Sequence, residues 1–181
     1  MRKEIKNMAF LPLPVLIIGT YDANGTPNAM NAAWGGMYDY NQIIISLSKH
    51  KTTENLAHTG AFTVAFATRE TEVVADYYGV VSGRELDKVA HIGAKTSKAN
   101  NVNAPIFEDF PLTLECEVIS YENGSLIGKV VSTSVDEKYL KSDGSIDVDK
   151  MHLICFDMAS NTYRELGGVV GKAFSDGFKL K

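Results

Sequence analysis

The stretch Val15-Leu-Ile-Ile-Gly-Thr-Tyr21, then Asp22-Ala-Asn-Gly25, then Pro27-Asn-Ala-Met-Asn-Ala-Ala-Trp34 decides the fold class. Two apolar, β-branched runs flank an Asn-Gly step, a strong hairpin signal because both central turn residues need positive φ. The same grammar recurs along the chain. Gln42–Ser48 and Ala61–Ala67 read as a third and a fourth strand. A second Asn-Gly, Asn123–Gly124, joins Leu112–Tyr121 to Ser125–Ser134. Asp143–Gly144 marks a further turn, and Leu153–Phe156 a last short strand.

The middle of the chain reads as helical. Thr53–Gly60 reads as a short helix stopped by its glycine, and Glu70–Tyr78 as a second closed by Gly79. Ser82-Gly-Arg-Glu85 fits a capping box, in which the Ser and Glu side chains satisfy exposed backbone donors. A third helix follows, with Leu86, Val89 and Ala90 on its apolar face and Gly93 at its end. Antiparallel strands with inserted helices make an α+β protein built on a small β-barrel.

The chain has 181 residues, 45% of them hydrophobic, which suits one domain over 1–181 with a full core and no staples. Twenty-two acids against 18 strong bases give a net charge of -4, which argues against nucleic-acid and anionic-membrane partners. The longest apolar stretch, Ala9–Gly19, is broken by Pro12 and Pro14 and is too short to span a bilayer. Glu4 interrupts the basic start and no small-residue cleavage site follows, so a cytoplasmic location is expected. Cys116 and Cys155 sit in strand-like runs and read as reduced core thiols. The four histidines lie far apart without ligand spacing, so no metal site is expected.

Two segments can carry chemistry. Ser46-Leu-Ser-Lys-His-Lys-Thr-Thr53 leaves a strand and enters a helix. Exposed helix N–H groups, hydroxyls and ammoniums would there suit a phosphomonoester. Taken alone, the same residues more readily make a polar strand-to-helix loop with Thr52 or Thr53 as an ordinary N-cap. In Pro27–Gly36, Asn28 and Asn31, small residues and Trp34 would let a flat ligand lie against backbone. The alternative is a strand ending at a Gly-rich turn with Trp34 in the core. Dinucleotide, Walker, zinc-protease and nucleophile-elbow motifs are absent, and no nucleophile–base pair can be assembled.

The order Pro12–Gly25, Asn28-Ala-Met-Asn-Ala-Ala-Trp34, Lys51-Thr-Thr-Glu-Asn-Leu56, Tyr78-Gly-Val-Val-Ser-Gly-Arg-Glu-Leu-Asp-Lys88, Ala104-Pro-Ile106 and Leu114-Glu-Cys-Glu-Val118 resembles the flavoredoxin branch of the flavin-reductase-like family. The resemblance runs through to Gly171-Lys-Ala-Phe-Ser175. It implies an FMN-binding split β-barrel of Greek-key type, a homodimer with flavin near the subunit interface. Carried over residue by residue, Asn31, Ala32, Ala33 and Trp34 would line the flavin and its ribityl chain. Ser46, Leu47 and Ser48 would follow on the next strand, with Thr52 and Thr53 near the phosphate. Ser82, Gly83, Arg84 and Lys88 would complete the site, Arg84 and Lys88 leaving one helix face together.

The activity so implied is hydride transfer from NADH or NADPH to flavin, with electrons passing to free flavin or a redox protein partner. No catalytic side chain is required, since the flavin carries the chemistry. The alternative is a non-catalytic electron carrier with bound FMN.

Overall fold

The computed structural model describes residues 1–181. Its strands and helices follow in the order β1 (Leu13–Pro14), β2 (Leu16–Tyr21), β3 (Pro27–Ala32), β4 (Gly35–Asp39), β5 (Gln42–Ser46), α1 (Lys51–Thr59), β6 (Ala61–Phe66), α2 (Glu72–Val80), α3 (Lys88–His91), β7 (Thr96–Lys98), β8 (Pro105–Phe107), β9 (Leu112–Glu122), β10 (Ser125–Val135), α4 (Val148–Met151), β11 (Ile154–Asp157) and β12 (Thr162–Glu165).

Seven strands form one sheet in the order β3-β2-β6-β9-β10-β5-β4, antiparallel throughout. Its two edge strands are consecutive in the chain. Only Ala33 and Trp34 separate the end of β3 from the start of β4. A sheet whose opposite edges share a two-residue link must curl until those edges come together, because the three Cα steps from Ala32 to Gly35 reach only about 10 Å. No ladder pairs β3 with β4, so the result is a split β-barrel. The expected α+β barrel with inserted helices is what the chain adopts, but α1 comes earlier, between β5 and β6, and only α2 and α3 fall between β6 and β9.

Strand β2 explains its own unbroken apolar sequence. Leu16 and Ile18 face a core with Ile45, Leu56, Phe62, Val64, Cys116 and Leu126. Val15 and Ile17 face the opposite way, into a second core with Ala75, Tyr78, Val89, Phe107, Phe110 and Ile154. A strand covered on both faces has no solvent side to keep polar. The second core lies against α2, α3 and β11, so the helices pack on the outside of the barrel wall.

Several local expectations need correction. The Asn-Gly rule holds at Asn123–Gly124, where both residues have positive φ, 52° and 80°. At Asn24–Gly25 only the glycine does, because Asp22 Oδ1 accepts the backbone N–H groups of Asn24 and Thr26 and closes a longer loop. Gly79 does not end α2. It lies in the last turn, where an added Cβ would come 3.3 Å from Asn31 Cβ, so it serves close packing. Gly35-Gly36 opens strand β4 instead of a loop.

The capping box at Ser82 is absent. Ser82 Oγ accepts from the Arg84 N–H at 3.3 Å in a local turn, and α3 starts only at Lys88, with Asp87 accepting from the Ala90 N–H at 3.0 Å. The Asp carboxylate thus takes the cap three residues before Ala90, and residues 82–86 remain a turn. Cys116 is fully buried in the barrel, where burial pushes its thiol up to about 12. Cys155 is only half-buried, since it lies on β11 between the edge elements β1 and β12.

Candidate functional site

The barrel wall and the turn after α2 enclose a cleft of about 280 Å³. Strand β3 supplies Asn28, Met30 and Asn31, the start of α1 supplies His50, Lys51 and Thr52, and residues Tyr78–Arg84 with Lys88 form the opposite wall. Three cationic side chains and a histidine line it, and no carboxylate does. That donor set fits an anion.

The floor is built by a buried side-chain bond between two of these elements. Asn28 Nδ2 donates to Thr52 Oγ1 at 2.9 Å, and both residues are buried. Because Thr52 accepts there, its own hydroxyl proton is free to point at a ligand. Thr53 differs. Its Oγ1 accepts the His50 N–H at 3.0 Å and donates back to the His50 carbonyl at 2.9 Å, so the hydroxyl is taken up as the helix cap. Of the two readings of this loop, phosphate site or cap, Thr53 takes the second while Thr52 faces the cleft.

The opposite wall is pinned by Lys88. It is 4% exposed, and its Nζ donates to the Tyr78 carbonyl at 2.8 Å and the Val81 carbonyl at 2.9 Å. These are carbonyls at the C-terminal end of α2, where a cation is favoured. Burial pushes the Lys88 ammonium down to about 8. Arg84, by contrast, is half-exposed at the cleft mouth, and its Nε donates to Glu54 Oε1 at 3.1 Å. The two cations therefore do not leave one helix face: Arg84 sits in the turn before α3, and Lys88 reaches back beneath α2. Gly83 presses on the floor, where an added Cβ would come 2.2 Å from Asn28 Oδ1. Asn31 Nδ2 ties β3 to α2 by donating to the Ala75 carbonyl at 2.9 Å.

The cleft thus gathers Asn31, Thr52, Ser82, Gly83, Arg84 and Lys88 from the expected set. The other members lie elsewhere. Ala32 and Leu47 pack in the barrel core, and the Leu47 backbone is engaged as well, its N–H with the Gly124 carbonyl and its carbonyl with the Tyr121 hydroxyl. Trp34 is 61% exposed, neither core nor cleft. With Ser46 it borders a separate apolar depression of about 550 Å³, shared with Met8, Phe10, Leu13, Ile44 and Met158. Ala33 is half-buried beside Trp34, and Ser48 is exposed, 3.4 Å from His50 Nε2. Asn28, His50 and Lys51 are cleft residues missing from the expected set, although all three stand in the two segments singled out by sequence.

Residues 8–150 match the description "Flavin reductase like domain". The chain belongs to the flavin reductase-like family. Among solved structures it is similar to the flavoredoxin of Desulfovibrio vulgaris (Miyazaki F), with 34% identity, a TM-score of 0.94, and 98% of this chain and 100% of that one covered. Flavoredoxin from Methanosarcina acetivorans shows 27% identity and a TM-score of 0.90, with both chains covered in full. Nitrilotriacetate monooxygenase component B from Bacillus cereus shares the fold, with 17% identity, a TM-score of 0.78, and 90% of this chain and 89% of that one covered. No curated protein matches the chain. No helix of this flavin reductase-like chain is long and apolar enough to cross a membrane.

Proposed function

We propose that this chain binds FMN, with the phosphate in the cleft between β3, the start of α1 and the Ser82–Arg84 turn. The single observation that carries this reading is the cleft's lining of Lys51, Arg84, Lys88 and His50 without a carboxylate. Asn31 in the cleft, and Ala33, Trp34, Ser46 and Ser48 beyond it, would hold the ribityl chain and the flavin ring. When bound, the flavin supplies the hydride-accepting chemistry, from NADH or NADPH, and the outlet is free flavin or a protein acceptor. The protein's part is to bind and orient. Thr52 and Arg84 would donate to the phosphate, Lys88 holds the α2 terminus so that Ser82 and Gly83 keep their place, and no side chain is asked to move a proton.

A second reading, a carrier that keeps FMN and exchanges electrons between proteins, is supported by the two full-length flavoredoxin matches. Adding NADH or NADPH to the FMN-loaded protein separates the two. Prompt loss of flavin absorbance supports the reductase; reduction only by a ferredoxin-like protein donor supports the carrier.

The functional unit in this proposal is a homodimer. Trp34, Met37, Tyr38 and Tyr40 are exposed on and beside β4, and Val169, Val170 and Phe174 are more than four-fifths exposed in the C-terminal segment. So much apolar surface is what a subunit interface covers. Two unpaired cysteines, one fully buried, accord with the reducing cytoplasm as its location.

A further inference from the structure

Each of the two cations at the cleft mouth is held by a carboxylate of this same chain. Arg84 turns its Nε and Nη2 to Glu54 Oε1, and Lys51 Nζ lies 3.8 Å from Asp22 Oδ2. Lys51 and Arg84 line the cleft, whereas Glu54 and Asp22 do not. Glu54 stands in the first turn of α1, three residues after Lys51, and feels both cations. The Arg84 guanidinium first, and Lys51 in addition, hold its carboxyl below the usual carboxylate range. The pair is half-exposed on both sides, 49% and 53%. Such pairs open readily, because water solvates either partner almost as well.

We propose that Glu54 is an internal counter-ion that an entering phosphate displaces from Arg84, so that Glu54 sets how tightly and how long a phosphate-bearing ligand is held. The proposal rests on the phosphate reading of the cleft. Glu54 engages Arg84 through Nε and Nη2, an edge of the guanidinium suited to bidentate contact with an oxyanion. A phosphate carries close to two charges near neutral pH against one on the carboxylate, so the exchange runs toward phosphate. The displaced carboxylate does not leave. It stays in the first turn of α1, one turn from Lys51, and its charge opposes the ligand's. Glu54 therefore lowers affinity and speeds release, which is what separates exchangeable flavin from resident flavin.

The test is Glu54→Gln, which keeps shape and removes charge. Fluorescence titration is expected to show FMN bound at least about threefold more tightly, with slower dissociation and unchanged riboflavin affinity. In an Arg84→Ala background the gain from Glu54→Gln should shrink, because the competition is for Arg84. Melting of each apoprotein checks that the fold is intact. An FMN preference in the wild type with unchanged or weaker FMN binding in Glu54→Gln overturns the counter-ion role alone, and weaker binding makes Glu54 a support that aims Arg84. Equal affinities of the wild type for FMN and riboflavin remove the phosphate reading and this proposal with it.

Discussion

Asn28 on β3 and Thr52 on α1 meet through one buried hydrogen bond, Nδ2 to Oγ1 at 2.9 Å, and that bond fixes the floor of the cleft. It joins two elements whose sequences are 24 residues apart. The bond serves stability and ligand geometry at once.

Thr52→Val keeps the shape and strands the Asn28 amide without its acceptor. A buried donor left unpaired costs about 1–3 kcal/mol, so the apoprotein should melt lower. FMN affinity should fall together with stability, since the hydroxyl donor is lost as well. Thr52→Ser, which keeps the oxygen, should restore FMN binding more than stability. Parallel melting and flavin titration read both effects, and unchanged melting of Thr52→Val would contradict the role of the bond.

Arg84→Ala should separate the two effects. The Arg84–Glu54 pair is half-exposed, so its loss changes apoprotein melting little. FMN affinity should fall by at least tenfold, about 1.4 kcal/mol, with Lys replacing Arg imperfectly because it lacks the planar fork. Unchanged FMN affinity in the titration would place Arg84 outside the phosphate site.

Lys88 sets a pH dependence. Its folded value near 8 lies below the ordinary 10.5, so between those limits the unfolded chain holds a proton that the folded chain has released. Stability owed to this residue therefore rises from pH 8 to about pH 10.5. FMN binding runs the other way. The phosphate is already fully ionised above pH 7, and loss of the Lys88 charge should weaken FMN as pH climbs through 8, with riboflavin unaffected. Flavin titrations from pH 7 to 9 and melting from pH 8 to about 10.5, on wild type and Lys88→Met, check the two signs, and the Lys88-dependent slope should vanish in the variant.

The exposed strand β4 should close on a second copy. Light scattering of the wild type is expected to give about twice the 19.8 kDa chain mass. Met37→Lys should shift that toward monomer, because a charge at an apolar interface has no counter-ion there. A wild type that scatters as a monomer with FMN bound would end the dimer reading.

Six of the seven barrel strands were legible because they are apolar and separated by turn residues, whereas β4 was not, since its Gly35-Gly36 start reads as a turn. The cleft was legible in its two segments, Pro27–Trp34 and Ser46–Thr53. What escaped the sequence was competition between neighbours. Ser82 and Asp87 are both good caps, and only packing decides that Asp87 wins while Lys88 folds back onto the α2 carbonyls. Thr52 and Thr53 are adjacent and alike, yet one turns inward to Asn28 and the other caps its own helix. Local spacing gives a lysine at 88 no reason to be buried. Its acceptors, the Tyr78 and Val81 carbonyls, become visible only once α2 has ended.

The two-residue passage through Ala33 and Trp34 makes the barrel seam covalent where a ladder would make it hydrogen-bonded. The two lips are therefore stitched at one end and unstitched along the rest. Like the halves of a clasp they share one link, and no rung of the seven-stranded sheet crosses between them. Lengthening that passage by a few glycines would loosen the clasp without adding or removing a ladder rung, and would shift Trp34 against the apolar depression it borders with Ser46.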